Sequence, residues 1–205
     1  MKKKTIIALV VILLAIALVV AGIMAYFTDH DEATNTFTIG NVDIELTEPI
    51  WEAAAATGSG NIPYYAQNMV PGNSAAKDPT VTNVGANDAY VFVKVDIPYY
   101  ENTDLFTPTT INTAKWHLVS DEVSGNVHTY VYAYATGADK ADLTALAPNA
   151  TTGTLFDTVT LTTNTAAVEA VQENPQIVIN AYGIQTTEVT QTTQADIFAL
   201  FTPAP

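Results

Sequence analysis

The spacing of hydrophobic and polar residues changes along the chain and predicts first an apolar leader and then a series of strands. An unbroken apolar run extends from Thr5 to Met24. Beyond it, apolar residues recur at every second position in short segments, as in strands that bury one face. The clearest segment is AYVFVKVDIP, where the alternating aliphatic residues are Val91, Val93, Val95 and Ile97. We expect these four side chains to lie in the core.

The opposite face of this strand carries two aromatic and two charged residues, which are Tyr90, Phe92, Lys94 and Asp96. The aromatic pair indicates that part of this face is also covered. Lys94 and Asp96 lie two residues apart on the same face, so we expect an ordinary surface ion pair rather than an internal Lys–Asp crosslink.

Other segments predict the remaining strands and turns. They are Phe37 to Leu46 with a bend at Gly40–Asn41, a short strand that follows a Pro71–Gly72 turn and ends at Asn83, a hairpin of KWHLVS and VHTYVYAYA joined by DEVSGN, and the segments TLFDTVTLT and QIVINAYGIQTT. The small residues from Glu52 to Gly60 predict a flexible loop. The Pro- and Thr-rich stretch from Pro98 to about Thr113 predicts a second irregular connection.

Two short segments have helical spacing. NTAAVEAVQENP places Val168 and Val171 on one side, and TQTTQADIFALF offers three apolar residues for packing, which are Ile197, Phe198 and Phe201. About eight strands at these intervals predict an all-β fold, namely a jelly-roll-like two-sheet β-sandwich with short helical pieces. We expect it to form one domain over residues 37–205.

The N-terminus has the order of a secretory leader: Lys2 to Lys4, the apolar run, and the small residue Ala25. We predict cleavage between Ala25 and Tyr26, which leaves residues 26–36 as an extended segment before the domain. The apolar run also reaches the roughly 20 residues that span a bilayer, so an uncleaved membrane anchor over residues 1–25 is the alternative. In both cases the chain after Tyr26 lies outside the cell.

Charge and composition exclude several classes of function. The chain has 205 residues, of which 7 are basic and 21 acidic, and its formal net charge is −14. Such an acidic chain repels nucleic acid, so we expect no nucleic-acid partner. It has no cysteine, which excludes disulfides, thiol catalysis and cysteine-zinc sites.

Candidate catalytic and metal-binding residues are few. The three histidines are His30, His117 and His128, and no HExxH motif is present. His117 and His128 lie in the two strands of the predicted hairpin and are weak candidates to share a metal, but no third ligand accompanies them. We therefore expect exposed strand histidines, with no metal and no cofactor. No serine lies in a GxSxG motif and no glycine-rich phosphate loop is present, so we expect no enzymatic activity.

His30 lies in TDHDE, among Asp29, Asp31 and Glu32. These carboxylates are a weak calcium candidate, because no glycine-centred loop surrounds them. We expect a solvated acidic flank.

Three stretches carry a family resemblance. The first combines KKK and the long leader with AYFTD…TNTFTIGNVDIEL; the others are MVPGNSAAKDPTVTNVGANDAYVFVKV and INAYGIQTT. Together they resemble the TasA/camelysin family of exported proteins, which are processed by a SipW-type signal peptidase. The resemblance is close in the N-terminal part and consists of scattered strands beyond it. From about Tyr99 to Pro175 it offers little.

The resemblance implies a jelly-roll-like domain that is secreted and assembles into extracellular biofilm-matrix fibres. The N-terminal segment of one subunit, from Tyr26 to about Ile39, then inserts as a donor strand into the next subunit. Its apolar anchors are Tyr26, Phe27, Phe37 and Ile39, and the acidic DHDE between them stays at the solvent rim because unpaired carboxylates are costly to bury. Other copies of the chain are the expected partners, together with the signal peptidase and minor fibre or anchoring subunits.

Two other functions remain as alternatives. In the first, the chain is a membrane-tethered cell-surface β-sandwich, residues 26–36 are only a tether, and Phe37 to Leu46 is an ordinary first strand. In the second, the chain is a camelysin-like metalloprotease, because the family also includes camelysin, which is described as one.

Overall fold

The computed structural model describes residues 42–60, 62–171, 175–187 and 189–201. Within these residues the chain forms ten strands, three short α-helices and two 3₁₀ turns. The strands are β1 (Ile44–Thr47), β2 (Ser74–Ala76), β3 (Thr80–Asn83), β4 (Ala89–Tyr100), β5 (Thr103–Asp104), β6 (Phe106–Thr109), β7 (Trp116–Ser124), β8 (Val127–Tyr134), β9 (Thr158–Leu161) and β10 (Val178–Gln185). The helices are α1 (Pro49–Ala55), α2 (Thr165–Ala170) and α3 (Gln194–Phe198), and the 3₁₀ turns are Tyr64–Ala66 and Lys140–Asp142.

The strands pair into one large and two smaller antiparallel sheets. The main sheet has the order β10–β4–β8–β7, with β5 added at the end of β4. A three-stranded sheet has the order β2–β9–β6, and β1 pairs with β3. This sandwich-like arrangement of strands with a few short helices confirms the predicted all-β fold. The predicted leader, the segment 26–36 and the bend at Gly40–Asn41 lie outside the described residues.

One face of β4 lies in the core, as the alternation predicts. Val91, Val93, Val95 and Ile97 are each no more than 1% exposed. The side chains that form this core with them come from the three-stranded sheet, from β8 and from the loop before β9; they include Ala75, Phe106, Tyr132, Leu155, Phe156, Val159 and Leu161. Because one residue in two points to each side of a strand, this core depends directly on the period-two pattern.

The second face of β4 is partly covered, as its aromatic residues Tyr90 and Phe92 predict. Phe92 is fully buried in a smaller cluster that includes Ile197 of α3. The Phe92 ring lies 5.8 Å from that of Phe198 and 6.1 Å from that of Phe201. Helix α3 begins at a capping residue, Thr193, whose hydroxyl accepts a hydrogen bond from the N–H of Asp196. The C-terminal segment therefore packs down as predicted.

The charged pair on this face of β4 and the helix α2 also agree with the sequence predictions. Lys94 Nζ lies 2.9 Å from Asp96 Oδ2, and both side chains keep contact with solvent. Helix α2 begins at Asn164, whose side chain accepts from the N–H of Ala167, and its Val168 and the following Val171 both pack on the main core.

The predicted loop over Glu52 to Gly60 is wrong in its first half, because residues Pro49–Ala55 form α1. Pro49 lies in the first turn, where its missing N–H costs nothing, and the alanines that follow have the highest helix propensity. A seven-residue helix is too short to form by itself. The buried Asp78 carboxylate accepts hydrogen bonds from the N–H groups of Ile50 and Trp51, and this distant anchor stabilises the helix.

The predicted irregular connection from Pro98 to about Thr113 is also wrong over most of its length. Strand β4 continues through Pro98 to Tyr100, and β5 and β6 follow. Pro98 lies beyond the last β4 residue that pairs with β10, and Pro108 lies in β6, an outer strand of its sheet. Proline is tolerated at such positions because no ladder hydrogen bond is lost.

The predicted turn of the β7–β8 hairpin is present but shorter than predicted. The hairpin of β7 and β8 turns at Gly125–Asn126, so Asp121 to Ser124 belong to β7 and not to the connection. Gly125 has φ = +60°, which a glycine adopts without strain. The register shifts by one residue between Leu118 and Ser120, as at a β-bulge.

The segment after the Pro71–Gly72 turn ends at Asn83 as predicted, but it is two strands that belong to different sheets. Strand β2 pairs with β9, and β3 pairs with β1. In TLFDTVTLT, only Thr158–Leu161 is a strand, while Leu155 and Phe156 before it are fully buried. QIVINAYGIQTT contains β10, as predicted.

No helix in the described part of the chain has the length and apolar character needed to cross a membrane.

Candidate functional site

The predicted cleavage residues and donor-strand anchors lie outside the described residues. These are Ala25, Tyr26, Phe27, Phe37 and Ile39. The other two predicted candidates, His117 and His128, are both described. His117 pairs with Ala133 in the β7–β8 ladder, whereas His128 pairs with Val123. Ala133, the partner of His117, lies five residues from His128 along β8, which is about 17 Å. The hairpin therefore does not bring the two histidines together.

One mainly apolar concavity among the described residues is a cleft of about 380 Å³. It lies between α1, the three-stranded sheet and the residues that precede β10. Its lining is mainly apolar and consists of Trp51, Ile62, Ala66, Met69, Ala75, Phe106, Val159, Pro175 and Ile177, with Lys77 and Gln176 as the polar members. We call this the apolar cleft. Such a concavity is the usual form of a binding site.

Helix α1 positions the aromatic wall of the apolar cleft. The Trp51 ring meets the Tyr65 ring edge to face, with 6.2 Å between centroids. Lys77 Nζ lies 4.8 Å from the centroid of the Trp51 ring and 2.8 Å from Glu48 Oε2. The lysine is therefore a buried cation held by a carboxylate and an aromatic face, an arrangement that compensates for its lost hydration. Burial and the charges of Asp78 and Glu48 raise the pKa of Tyr65.

Exposed apolar residues follow or precede the lining residues in sequence. Ile50 and Val70 are more than half exposed, and Tyr64 is 69% exposed. Ile62 and Tyr65 are also among the exposed large residues. Of these five residues, Ile62 itself lines the cleft, and the other four are close in sequence to the lining residues Trp51, Ala66 and Met69.

A second cleft, of about 320 Å³, shares Lys77 and Ile177 with the apolar cleft. Its other lining residues are Leu46, Glu48, Glu52, Val178 and Ile179. Val178 and Ile179 open β10, which is an outer strand of the main sheet: of the described strands, only β4 is hydrogen-bonded to it. An outer strand presents a row of backbone groups that an added strand can pair with. The two clefts and this strand thus combine side-chain pockets with a backbone edge.

A separate polar cluster surrounds His128 at the end of the main sheet. The Nδ1 atom of His128 lies 2.6 Å from Asp104 Oδ1, and its Nε2 atom bonds to Asp121 Oδ1. Tyr130 donates to the second oxygen of Asp104 at 2.6 Å. Burial by itself lowers the pKa of His128, but its hydrogen bonds to Asp121 and Asp104 and the charges of both carboxylates together raise that pKa above 6.5. Burial and the hydrogen bond to Asp104 raise the pKa of Tyr130.

Comparison with known protein families gave a match in the N-terminal half of the chain. The family model described as camelysin metallo-endopeptidase matches residues 1–104, which is half of the 205-residue chain. The chain belongs to this family. The match confirms the resemblance to the TasA/camelysin family that the leader and the first strands indicate. In the same comparisons no curated protein and no solved structure matched the chain.

The camelysin-family match covers only part of the apolar cleft. The wall from Trp51 to Lys77 lies within residues 1–104, whereas Phe106, Val159 and Ile177 lie beyond the match. Sequence reasoning missed Trp51 and Lys77 as site residues because their surroundings were read as a loop and a short strand. The signal that could have pointed to Trp51 is a tryptophan separated by one residue from a run of four alanines, in the sequence WEAAAA.

The family name, camelysin metallo-endopeptidase, implies a metal ion. In the described ranges, no three His, Cys, Asp or Glu side chains converge in a way that would hold one. His128, Asp104 and Asp121 come closest in composition, but the two carboxylates bind opposite nitrogens of the imidazole ring and share no common point. The residues described here do not fit a zinc site of the usual kind.

Proposed function

We propose that this chain is an exported structural subunit that polymerises into extracellular fibres of the biofilm-matrix type. In this proposal the N-terminal segment of one subunit inserts into the apolar cleft of the next and adds a strand beside β10. The observation that carries the proposal is the position of the apolar cleft directly beside the start of an outer strand. Membership in the camelysin family and the resemblance of the leader to exported fibre proteins support it.

The segment before the first described residue is long enough to act as the donor strand. Sixteen residues, 26–41, separate Ala25 from the first described residue. Fully extended, they would span about 50 Å, which exceeds the length of the 12-residue β4, the longest described strand. They also carry aromatic and aliphatic residues of the size that the cleft lining would accommodate, which are Tyr26, Phe27, Phe37 and Ile39.

Strand addition supplies both affinity and direction. Main-chain hydrogen bonds to an outer strand give affinity, and pockets for alternate side chains give specificity. Because the donor segment and the acceptor cleft are different surfaces, each contact leaves one of each free. Head-to-tail contacts of this kind do not close on themselves unless a ring forms, so they generate a filament. The acidic residues between the aromatic anchors stay in solvent.

Deletion of the donor segment tests the proposal. The secreted protein that lacks Tyr26 to Thr36 should fold, because these residues precede every described element, and should sediment as a monomer. The wild-type protein should form sedimentable filaments under the same conditions. Filaments of the deletion variant that form at the wild-type rate would show that the segment is only a tether.

Substitution in the cleft tests the acceptor side. Ile177→Asp places a carboxylate in the apolar lining and should also stop assembly, whereas Leu118→Asp on β7, at an exposed position outside this lining, should not. The deletion variant keeps an acceptor, and Ile177→Asp keeps a donor. An equimolar mixture of the two should therefore give heterodimers and nothing longer. A mixture that stays monomeric would contradict a head-to-tail donor strand.

The same preparations separate the other functions. A membrane-tethered domain would remain in the membrane fraction with Lys2 to Lys4 still attached. A peptidase would cleave a casein substrate and lose that activity on addition of a chelator. We expect filaments in the extracellular fraction and no chelator-sensitive proteolysis.

A further inference from the structure

The imidazole of His128 bridges two carboxylates that come from different strands. Asp104 is the last residue of β5, and Asp121 lies in β7, an outer strand of the main sheet. His128 itself lies in β8, next to the turn that joins β7 and β8. The Tyr99 ring of β4 packs edge-on against the imidazole, with 5.3 Å between ring centroids. Four strands therefore meet at this one side chain.

The hydrogen-bond pattern favours one protonation state of His128. An ionised carboxylate only accepts hydrogen bonds, and a neutral imidazole has one donor nitrogen. Both ring nitrogens of His128 face a carboxylate oxygen. Tyr130 donates to the other oxygen of Asp104, as expected for an ionised carboxylate. The arrangement is satisfied when both ring nitrogens carry a hydrogen, that is, when His128 is an imidazolium.

We propose that His128 is a proton-operated clasp that fastens the end of β7 to β8 and β5 when it is protonated and releases β7 when it loses its proton. After deprotonation one ring nitrogen would present a lone pair to a carboxylate, and that contact becomes repulsive. Asp121 is the partner that separates, because its side chain is 52% exposed and can turn into water, whereas the Asp104 side chain is only 16% exposed. This inference does not depend on the proposed assembly.

The direction of the pH effect follows from the groups that face the imidazole. These are Asp104 from β5, Asp121 from β7, Tyr130 from β8 and Tyr99 from β4. The two carboxylates outweigh burial and raise the pKa of His128 above its value of 6.5 in the unfolded chain. A raised pKa means that the clasp contributes fully below pH 6.5 and that this contribution is lost as the pH rises through the folded-state pKa. The clasp therefore opens on the alkaline side of 6.5.

Two measurements on the full-length protein test the clasp. The three imidazole signals can be followed by NMR with labelled histidine, and the His117→Gln and His128→Gln variants identify two of them. We expect the His128 signal to titrate above 6.5 and its midpoint to fall in Asp121→Asn. Hydrogen exchange of the amides from Ser120 to Ser124, corrected for the chemical rate, should accelerate as the pH passes that midpoint.

Matched variants separate the clasp from a purely structural role. His128→Gln should remove the extra pH dependence of exchange in β7, and His117→Gln, on the same hairpin, should leave it unchanged. If His128→Gln does not fold, Asp121→Asn at its half-exposed position provides the same test. A His128 midpoint at or below 6.5, or an unaltered pH dependence of exchange in the variants that remove the bridge, would overturn the proposal.

Discussion

The carboxylate of Asp78 accepts a hydrogen bond from the backbone N–H of Ile50 at 2.9 Å, although 28 positions separate the two residues in the chain. It also accepts from the N–H of Trp51 at 3.2 Å, and Asp78 is only 3% exposed. The first N–H groups of a helix have no partner within the helix, and a carboxylate at that end satisfies them and opposes the helix dipole. Helix α1, and with it the Trp51 wall of the apolar cleft, therefore depends on this contact.

Removal of the carboxylate should loosen α1. We expect Asp78→Ala to lower the free energy of unfolding by about 1–3 kcal/mol, because two N–H groups lose their acceptor in a partly buried site. Urea unfolding measures the change, and Asp43→Ala, at an exposed aspartate before β1, should change it by less than about 0.5 kcal/mol. Equal effects of the two substitutions would show that α1 does not need Asp78.

A charge in the inner face of β4 should disrupt the fold. Val93 is 1% exposed, so Val93→Asp buries a carboxylate without a partner and should lower the free energy of unfolding by about 4 kcal/mol or more. Val84→Asp introduces the same charge at a 47% exposed valine and is the control. Circular dichroism and thermal melting report both changes. An unchanged melting curve of Val93→Asp would mean that the assignment of the buried face is wrong.

The burial of Tyr132 should make the free energy of unfolding depend on pH in the alkaline range. Burial, together with the charges of Asp121 and Asp104, raises the pKa of Tyr132 to about 12 from 10.0. A raised tyrosine pKa stabilises the fold below pH 10, and this contribution is lost as the pH rises from 10 to about 12. Between pH 10 and about 12, the free energy of unfolding should therefore decrease by about 2 kcal/mol more in the wild type than in Tyr132→Phe. Tyr64→Phe, at an exposed tyrosine, should follow the wild-type slope.

The leader should be removed at one peptide bond. We expect the mature secreted chain to begin at Tyr26, because Ala25 supplies the small residue at the end of the apolar run. Mass spectrometry of the intact native protein measures this end directly. A mature chain that still carries Lys2 to Lys4 would favour the membrane-anchored alternative.

Acid should accelerate assembly of the mature chain. Without residues 1–25 the formal charge is −14 − 3 = −17, since the three lysines of the leader are its only charged residues. Like charges slow the approach of two subunits at neutral pH, and protonation of carboxylates near pH 4 reduces this repulsion. Light scattering should therefore show faster filament growth as the pH falls toward 4, and added salt at pH 7 should have an effect in the same direction. A rate that is independent of both would exclude charge repulsion as the barrier.

Several properties of this protein were determined by the sequence alone. The alternation of Val91, Val93, Val95 and Ile97 predicts the central strand and its buried face, because a strand turns successive side chains to opposite sides whatever surrounds it. The spacing of Ile197, Phe198 and Phe201 predicts the short C-terminal helix, because residues three or four apart lie on one face of a helix. The quoted N-terminal stretches also indicate the camelysin family before any fold is known, and the family match agrees.

The site was decided by tertiary structure, because its parts are distant in sequence. Helix α1 reads as a loop until the Asp78 carboxylate reaches it from 28 residues away. Strands β5 and β6 are too short and rich in polar residues to stand out, and only pairing with β4 and β9 defines them. His128 looks like an exposed strand histidine until Asp104 and Asp121 meet its two nitrogens. Local periodicity decides which side of a strand is buried, whereas hydrogen bonds and charges act through space, so their partners become known only when the chain is folded.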